Sequence, residues 1–261
     1  MRTHRKTAIW SLALSLLLAV VITVSAAIGP VWIPPTDVAQ VLLNAVVVPT
    51  AVEISGPIVD VTTQPIFQFR VSPIQQQIVM GISLPRILLG AVVGFALAAA
   101  GTIMQGIFRN PMADPSIIGV SSGAAVGAVG FIVVGGTLPF GLGLRGAAFA
   151  GSLVAAFGVY LIATEGGRTP VATLLLAGVA VQTFLGAVVS FLLLNAGESI
   201  RRALFWLMGH LKGAAWPDVW SSLVLVAIPF ALLLVYARDL NVMLLGEEDA
   251  QSLGIEVERT K

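Results

Sequence analysis

The residues of this sequence that could take part in polar chemistry are few, and several of them fall in one short connection. Arg109, Asn110, Pro111, Asp114 and Pro115 stand between two apolar stretches, in "FRNPMADPS". Prolines stop helices, and charged side chains keep a connection in water. The spacing therefore predicts a turn in cytoplasmic water between two membrane-spanning helices.

A nucleophilic serine is the one enzymatic possibility that the residues offer. The stretch "GVSSG", Gly119–Gly123, resembles the Gly-x-Ser-Gly of intramembrane rhomboid-type proteases, but Ser121 is followed by a second serine rather than glycine. The later histidine, His210, lies beside Lys212 outside any predicted span. Because a serine–histidine pair needs hydrogen-bond reach, we interpret His210 as an interfacial polar group and predict no protease.

The sequence contains no Gly-x-x-x-x-Gly-Lys-Ser/Thr phosphate loop, so the chain is not predicted to be its own ATPase. Spans two to five carry almost no ionisable residues, whereas proton- or ion-coupled carriers usually need one inside the membrane. A secondary carrier is therefore the less favoured alternative. With no cysteine, disulfides and thiolate metal sites are excluded. We expect no metal site and no cofactor in this chain.

The amino-acid composition indicates what kind of secondary structure carries these polar residues. Hydrophobic residues make up 57% of the chain and charged residues 10%, against roughly a quarter charged in soluble domains. A net charge of +1 gives no support for a nucleic-acid partner. The fold class predicted is an all-α polytopic membrane protein. Six spans are predicted: Ala8–Gly29, Leu84–Ile107, Ile117–Thr137, Gly143–Ala163, Val171–Asn195 and Trp216–Tyr236.

The N-terminus predicts the orientation. Arg2, Arg5 and Lys6 precede the first apolar stretch, which places the N-terminus in the cytoplasm of a multi-pass cell-membrane protein. The same pattern could be a secretory signal peptide. We favour a retained span, because the apolar stretch of about twenty residues exceeds the 7–15 residues of a usual signal core.

Two connections are predicted to lie outside the cell. Residues 30–81 contain seven prolines, which bar a continuous span, and form an ordered but poorly regular cap in which "QVLLNAVVV" is a candidate interfacial helix. The second connection, "NAGESIRRALFWLMGHLKGAAWPDVW", mixes charges with tryptophans and predicts a half-inserted helix after the fifth span.

Small residues and the last segment predict how the elements pack. Glycines recur at spacings that let helix backbones approach closely: Gly90 with Gly94, Gly123 with Gly127, and Gly178 towards Gly186. Residues 237–261 are too charged to span the membrane. They predict either a short amphipathic cytoplasmic segment broken by Gly246 and Gly254, or a solvated tail on the membrane surface.

Four stretches resemble the FecCD family, the permease subunits of binding-protein-dependent ABC importers for iron–siderophores, haem and cobalamin. They are "LPRILLGAVVGFALAAAGTIMQGIFRNPMADPSIIGVSSGA", "LLLAGVAV", "WLMGHL" with its following Trp216, and "LGEEDAQSLGI". The resemblance implies the first part of a ten-helix importer (type II) fold, with the rest of the family's spans absent.

What the resemblance implies about mechanism is ATP-driven alternating access. The implied partners are a second permease copy, in a homodimer or heterodimer, and two ABC ATPase subunits that bind the ATP. An extracytoplasmic substrate-binding protein and the lipid bilayer are implied as well. The expected substrate is an iron(III)–siderophore or related metal chelate, with cobalamin as the alternative. A further alternative is a truncated permease that does not transport alone, since residues 1–261 would lack about four spans.

Site residues follow from the same resemblance. Arg86 matches the arginine that docks the binding protein, although Ser83 stands where the family often has a second arginine. The predicted cytoplasmic gate loops contain Arg109, Asn110, Pro111, Asp114, Pro115, Arg168 and Pro170. The predicted ATPase-coupling segment contains Leu245, Gly246, Glu247, Ala250, Leu253 and Gly254.

Overall fold

The structure, a computed structural model, describes residues 2–29, 31–55, 58–135 and 143–261. The chain is divided into two compact units, Met1–Gly94 with Leu211–Val226, and Phe95–His210 with Ala227–Lys261. The elements in chain order are the helices α1 (Arg2–Ala27) and α2 (Pro35–Asn44), strands β1 (Val47–Ser55) and β2 (Ile58–Pro65), and helices α3 (Pro73–Ile78), α4 (Leu84–Phe108), α5 (Val120–Val134), α6 (Gly143–Ala163), α7 (Val171–Leu194), α8 (Ile200–Leu207), α9 (Trp216–Met243), α10 (Glu247–Ser252) and α11 (Val257–Thr260).

The all-α polytopic fold class is confirmed. Among the described residues, five helices are long and apolar enough to cross a membrane: Arg5–Ala27, Pro73–Phe108, Gly143–Ala163, Val171–Leu194 and Trp216–Met243. The last extends seven residues past the predicted Tyr236, because the polar "ARDLNVM" continues the helix. The bounds predicted for the fourth span agree with α6.

The predicted third span, Ile117–Thr137, is shorter than expected. Its end, Thr137, lies outside the described residues. Its beginning is a separate 3-10 turn, Pro115–Ile118, and α5 starts only at Val120 because Gly119 takes a left-handed conformation with φ 76°. The 15 residues of α5 reach about 22 Å at 1.5 Å each, less than the ~30 Å of a bilayer core.

The predicted second span begins earlier than Leu84. Helix α3 starts at Pro73 and continues through a π-helical turn, Val79–Ser83, into α4. Pro85 has no N–H for the carbonyl four residues back, and its ring would clash with it. The wider turn, in which Leu84 N–H bonds to Val79 O, keeps the helix continuous. The connection predicted for 30–81 therefore ends near residue 72.

That connection is also more regular than predicted. The expected helix in "QVLLNAVVV" is present as the end of α2, and β1 pairs with β2 in an antiparallel hairpin. No strand was predicted in this connection. Pro49 is compatible with β1 because both strands of a two-stranded sheet are edges, where proline is tolerated, and the register is irregular between Pro49 and Ala51. Pro30 and Pro57 lie outside the described residues.

The buried core of the first unit lies where α1, α2 and the π-helical turn pack together. Ala26, Ala27, Ile33, Val38, Val41 and Val79 form its buried cluster. The amide of Asn44 both donates to Phe69 O and accepts from Phe69 N, at 2.9 Å each, which ties the end of α2 to the chain after the hairpin. Trp216 Nε1 donates to Met80 O at 3.0 Å at the π-helical turn.

Close backbone contact holds the second unit together, as small residues at this spacing predict. A Cβ built on Gly123 or Gly127 of α5 would collide with the backbone of Gly151 or Ala147 on α6. Gly178 of α7 lies equally close to the carbonyl of Ile117. Gly94 and Gly186 meet nothing within 4 Å in this chain, so the prediction of tight packing holds for part of the glycine set.

Candidate functional site

The connection between α4 and α5 is a tight polar turn. Arg109 leaves the helix with a positive φ of 47°, a conformation that non-glycine residues seldom adopt. The side chain of Asn110 accepts a hydrogen bond from Met112 N at 2.9 Å, and its carbonyl accepts one from Ala113 N at 3.0 Å. These bonds replace the helical pattern that Pro111 ends, as the sequence predicted.

Asp114 caps the 3-10 turn that follows. Its Oδ1 accepts a hydrogen bond from Ser116 N at 2.7 Å, and Pro115 occupies the first position of the turn, where its missing N–H costs nothing. The hydroxyl and the backbone N–H of Ser116 both favour the ionised carboxylate, so the pKa of Asp114 lies below its ordinary value.

The connection between α6 and α7 is a second tight turn. Glu165 and Arg168 exchange two backbone hydrogen bonds, of 2.9 and 3.1 Å, around Gly166 and Gly167, whose φ angles are 59° and 77°. Two central residues with positive φ are typical of a type I′ turn, which only residues such as glycine form readily. Thr169 after the turn is 2% exposed.

The predicted coupling segment is a folded helix pair, not a solvated tail. Gly246 precedes α10 with φ 136° and ψ 156°, a conformation essentially confined to glycine. Ala250 is fully buried and packs with Met243 and Val257. Gly254, with φ 84°, ends the helix as predicted.

A groove of about 590 Å³ brings the two turns and this segment together. Its lining residues are Arg109, Arg168, Pro170, Leu245, Gly246, Glu247, Glu248, Asp249, Gln251 and Glu258. A Cβ on Gly246 would stand 3.4 Å from the Arg109 guanidinium, so Arg109 lies close to the start of the segment. Seven of these residues carry charge or an amide, so the groove suits a polar partner. We call it the polar groove.

Sequence reasoning missed a cluster beside the polar groove. Lys261 Nζ lies 2.9 Å from Glu247 Oε1 and 3.3 Å from Glu258 Oε1, and donates to Thr169 O at 2.9 Å. We call these four residues the Lys261 cluster. The i, i+3 spacing of Glu258 and Lys261 was the one local signal, and nothing local linked them to Thr169, 92 residues before Lys261.

The remaining predicted residues take other positions. Arg86 is exposed near the start of α4, in the first unit. Asn110 and Pro111 line a second groove of about 540 Å³ with Thr102, Gln105, Asn241 and Leu244. Leu253 is 63% exposed and Leu245 64% exposed, so both present apolar side chains outward.

Comparisons with known proteins show which family the chain resembles. A model of the FecCD transport family matches residues 17–261. The chain is 51% identical over 266 residues to the cobalamin import system permease protein BtuC of Halobacterium salinarum, covering 97% of this chain and 72% of that protein. It is 41% identical over 190 residues to the hemin transport system permease protein HmuU of Yersinia pestis, covering 70% of this chain and 55% of that protein.

A solved structure shares the fold. An inward-facing conformation of a metal-chelate type ABC transporter superposes with a TM-score of 0.74 at 28% identity, covering 95% of this chain and 68% of that one. The family model's match, residues 17–261, includes both turns and the segment that line the polar groove.

Proposed function

Since the chain belongs to the FecCD transport family, we propose that it supplies the membrane pathway of an ABC importer for a metal chelate. In this proposal a binding protein delivers the chelate from outside, and separate ATPase subunits drive alternating access. The chain is a multi-pass membrane protein, and we place its N-terminus in the cytoplasm. The observation that carries the proposal is the polar groove, in which both predicted gate loops meet the predicted coupling segment.

The electrostatics of the polar groove support a role in contact with a partner. Arg109 and Arg168 face a segment that begins with Glu247, Glu248 and Asp249. The outward leucines, Leu245 and Leu253, add apolar surface beside these charges. A mixture of charged groups and isolated apolar anchors is typical of a protein interface rather than of lipid contact. We assign this surface to the ATPase subunits.

For Arg86 we propose a different docking role, contact with the extracytoplasmic binding protein. The Arg86 side chain is exposed, while its neighbours Ser83, Leu84 and Pro85 are buried. The backbone that carries the guanidinium is therefore held in place by packing. Such a charge suits a carboxylate on the extracytoplasmic binding protein.

For the substrate, cobalamin is now favoured over an iron–siderophore. Sequence reasoning placed the iron chelate first, but a relative that matches 97% of this chain at 51% identity is named as a cobalamin permease. Permeases named for hemin and for Fe(3+) dicitrate match less of the chain, 70% each. Titrating the system's own binding protein with cobalamin and with a ferric siderophore tests this order, and tighter binding of the siderophore would reverse it.

The function itself is tested by partner capture. The chain, purified in lipid nanodiscs, is immobilised and exposed separately to its ATPase subunits and to its substrate-loaded binding protein. We expect it to retain both. A chain that is folded by circular dichroism and retains neither partner would contradict the proposal. Binding is measured instead of uptake because the chain covers 72% of the cobalamin permease it resembles.

A further inference from the structure

The Lys261 ammonium is buried yet fully partnered. Its side chain is 5% exposed, and three oxygens surround Nζ: Glu247 Oε1 at 2.9 Å, Thr169 O at 2.9 Å and Glu258 Oε1 at 3.3 Å. The ammonium donates to Thr169 O and Glu258 Oε1, and the Glu247 carboxylate pairs with it as a third oxygen. A buried charge persists only when it is paired and hydrogen-bonded in this way. The side chain is therefore held in one position.

Thr169 is bound on both sides of its backbone. Its carbonyl accepts from Lys261, and its N–H donates to Glu258 Oε2 at 2.9 Å. Its hydroxyl lies 2.9 Å from that of Thr164, across the type I′ turn. Because both bonds reach backbone groups of Thr169, the side chains of Lys261 and Glu258 hold the path of the chain at this residue. Thus α11 fixes the loop that begins α7.

Glu247 extends the same contact to the coupling segment. It is the first residue of α10, immediately after Gly246. Through Lys261, the start of α10 is joined to α11 and to the Thr164–Pro170 loop. The Lys261 cluster therefore links three of the elements that line the polar groove, α10, α11 and the Thr164–Pro170 loop.

We propose that Lys261 is a positioning residue that locks the coupling segment, Gly246–Gly254, to the Thr164–Pro170 loop, so that an ATPase subunit meets one rigid surface. The role of the ATPase rests on the proposed function, but the lock does not. When the ATPase changes the position of the coupling segment, the loop at the start of α7 moves with it. Motion at the ATPase contact thereby reaches a membrane helix directly.

A neighbouring ion pair provides a matched control. Arg259 lies on α11, two residues before Lys261, and pairs with Glu256 at 3.5 Å, but both side chains are 74% exposed. Exposed pairs of this kind contribute little to structure. Arg259→Met removes one cation from α11 without touching the cluster, whereas Lys261→Met removes the central cation. Any difference between the two variants reports burial and connection rather than net charge.

The lock is tested by distance measurement on the chain in nanodiscs. The sequence contains no cysteine, so Glu165→Cys and Gln251→Cys place two spin labels at exposed sites on the loop and on α10. Double electron–electron resonance should give one narrow distance distribution in this background and with Arg259→Met. Lys261→Met should broaden it, and Lys261→Arg should largely restore it. An equally narrow distribution with Lys261→Met overturns the lock.

A second measurement separates positioning from folding and from the proposed function. We expect Lys261→Met to weaken ATPase binding roughly fivefold or more, the lower end of typical coupling between sites, with an unchanged helical signal and unchanged binding-protein capture. Broadened distances with unaltered ATPase binding would overturn the positioning role and leave the proposed function standing. If the unsubstituted chain retains no ATPase, the proposed function fails, while the distances still decide the lock. Should Lys261→Met not fold, Glu258→Gln, which keeps an acceptor for Thr169 N–H, replaces it.

Discussion

Gly246→Ala is the substitution that tests the polar groove most directly. At φ 136° and ψ 156°, Gly246 occupies a conformation that alanine reaches only with strain. The added methyl group would also stand 3.4 Å from Arg109 Nη1 and 3.7 Å from Asp249 Oδ2. Both effects act on the start of α10 and not on the spanning helices.

The strain in the backbone of Gly246→Ala determines the expected loss of ATPase binding. A residue held in such a sparsely populated region costs about 1–3 kcal/mol, and the methyl contact with Arg109 adds little because the guanidinium lies at the end of a flexible side chain. If the segment must keep its present form to bind the ATPase, that cost appears as roughly 5- to 150-fold weaker binding. The chain as a whole should remain folded, since the cost is local.

The assay is ATPase binding to the chain in nanodiscs, combined with hydrogen exchange of residues 246–254. Exchange should accelerate in this segment and stay unchanged in α6 and α7. Gly106→Ala is the control, because it adds a methyl group within α4 at an ordinary 3.8 Å from Leu244. ATPase binding unaffected by Gly246→Ala, with faster local exchange, would refute the argument that the shape of the segment governs docking.

Three further substitutions test other parts of the molecule. Arg86→Glu should weaken capture of the binding protein and leave ATPase binding intact, whereas the exposed Arg70→Glu should leave both unchanged; equal effects of the two would remove the special role of Arg86. Gly127→Leu should lower stability by about 1–3 kcal/mol by forcing α5 from Ala147 of α6, measured by thermal unfolding against Gly158→Leu, which enters open space. The Asp114 pKa is lowered on folding, so its cap stabilises the turn above the ordinary value of 3.8 and the stabilisation is lost as pH falls from there through the folded-state pKa. In Asp114→Asn, the protection of the turn's amides, measured against their intrinsic exchange rates, should no longer change over that pH range.

Length and hydropathy were sufficient to locate the long helices. The bounds of α6 were predicted without error, because a charged or glycine-rich stretch lies at each end and the apolar residues between them are continuous. The Gly123–Gly127 pair was predicted equally well, since close helix packing demands small residues whatever the partner. Such features depend on composition within one stretch of sequence.

Features that depend on one residue's backbone conformation were harder to predict. The left-handed Gly119 separates the 3-10 turn from α5, yet glycine inside an apolar stretch equally fits a continuous helix. The π-helical turn before Pro85 is similar, because a proline predicts either a helix end or a distorted helix. The hairpin was missed because the prolines of residues 30–81 bar a continuous span but do not exclude an edge strand.

Contacts between residues far apart in the chain could not be predicted from any local pattern in the sequence. The Lys261 cluster joins residues 92 and 89 positions apart through the carbonyl and the N–H of Thr169, groups that almost every residue possesses. Its discovery changes how residues 237–261 are understood. A solvated tail would point its charges into water and bury its leucines against the membrane. Here the Lys261 side chain is buried against Glu247 and Thr169, while Glu248, Asp249 and Arg259 stay exposed beside Leu245 and Leu253. Burial of a paired charge requires a folded segment, which the solvated-tail alternative does not supply.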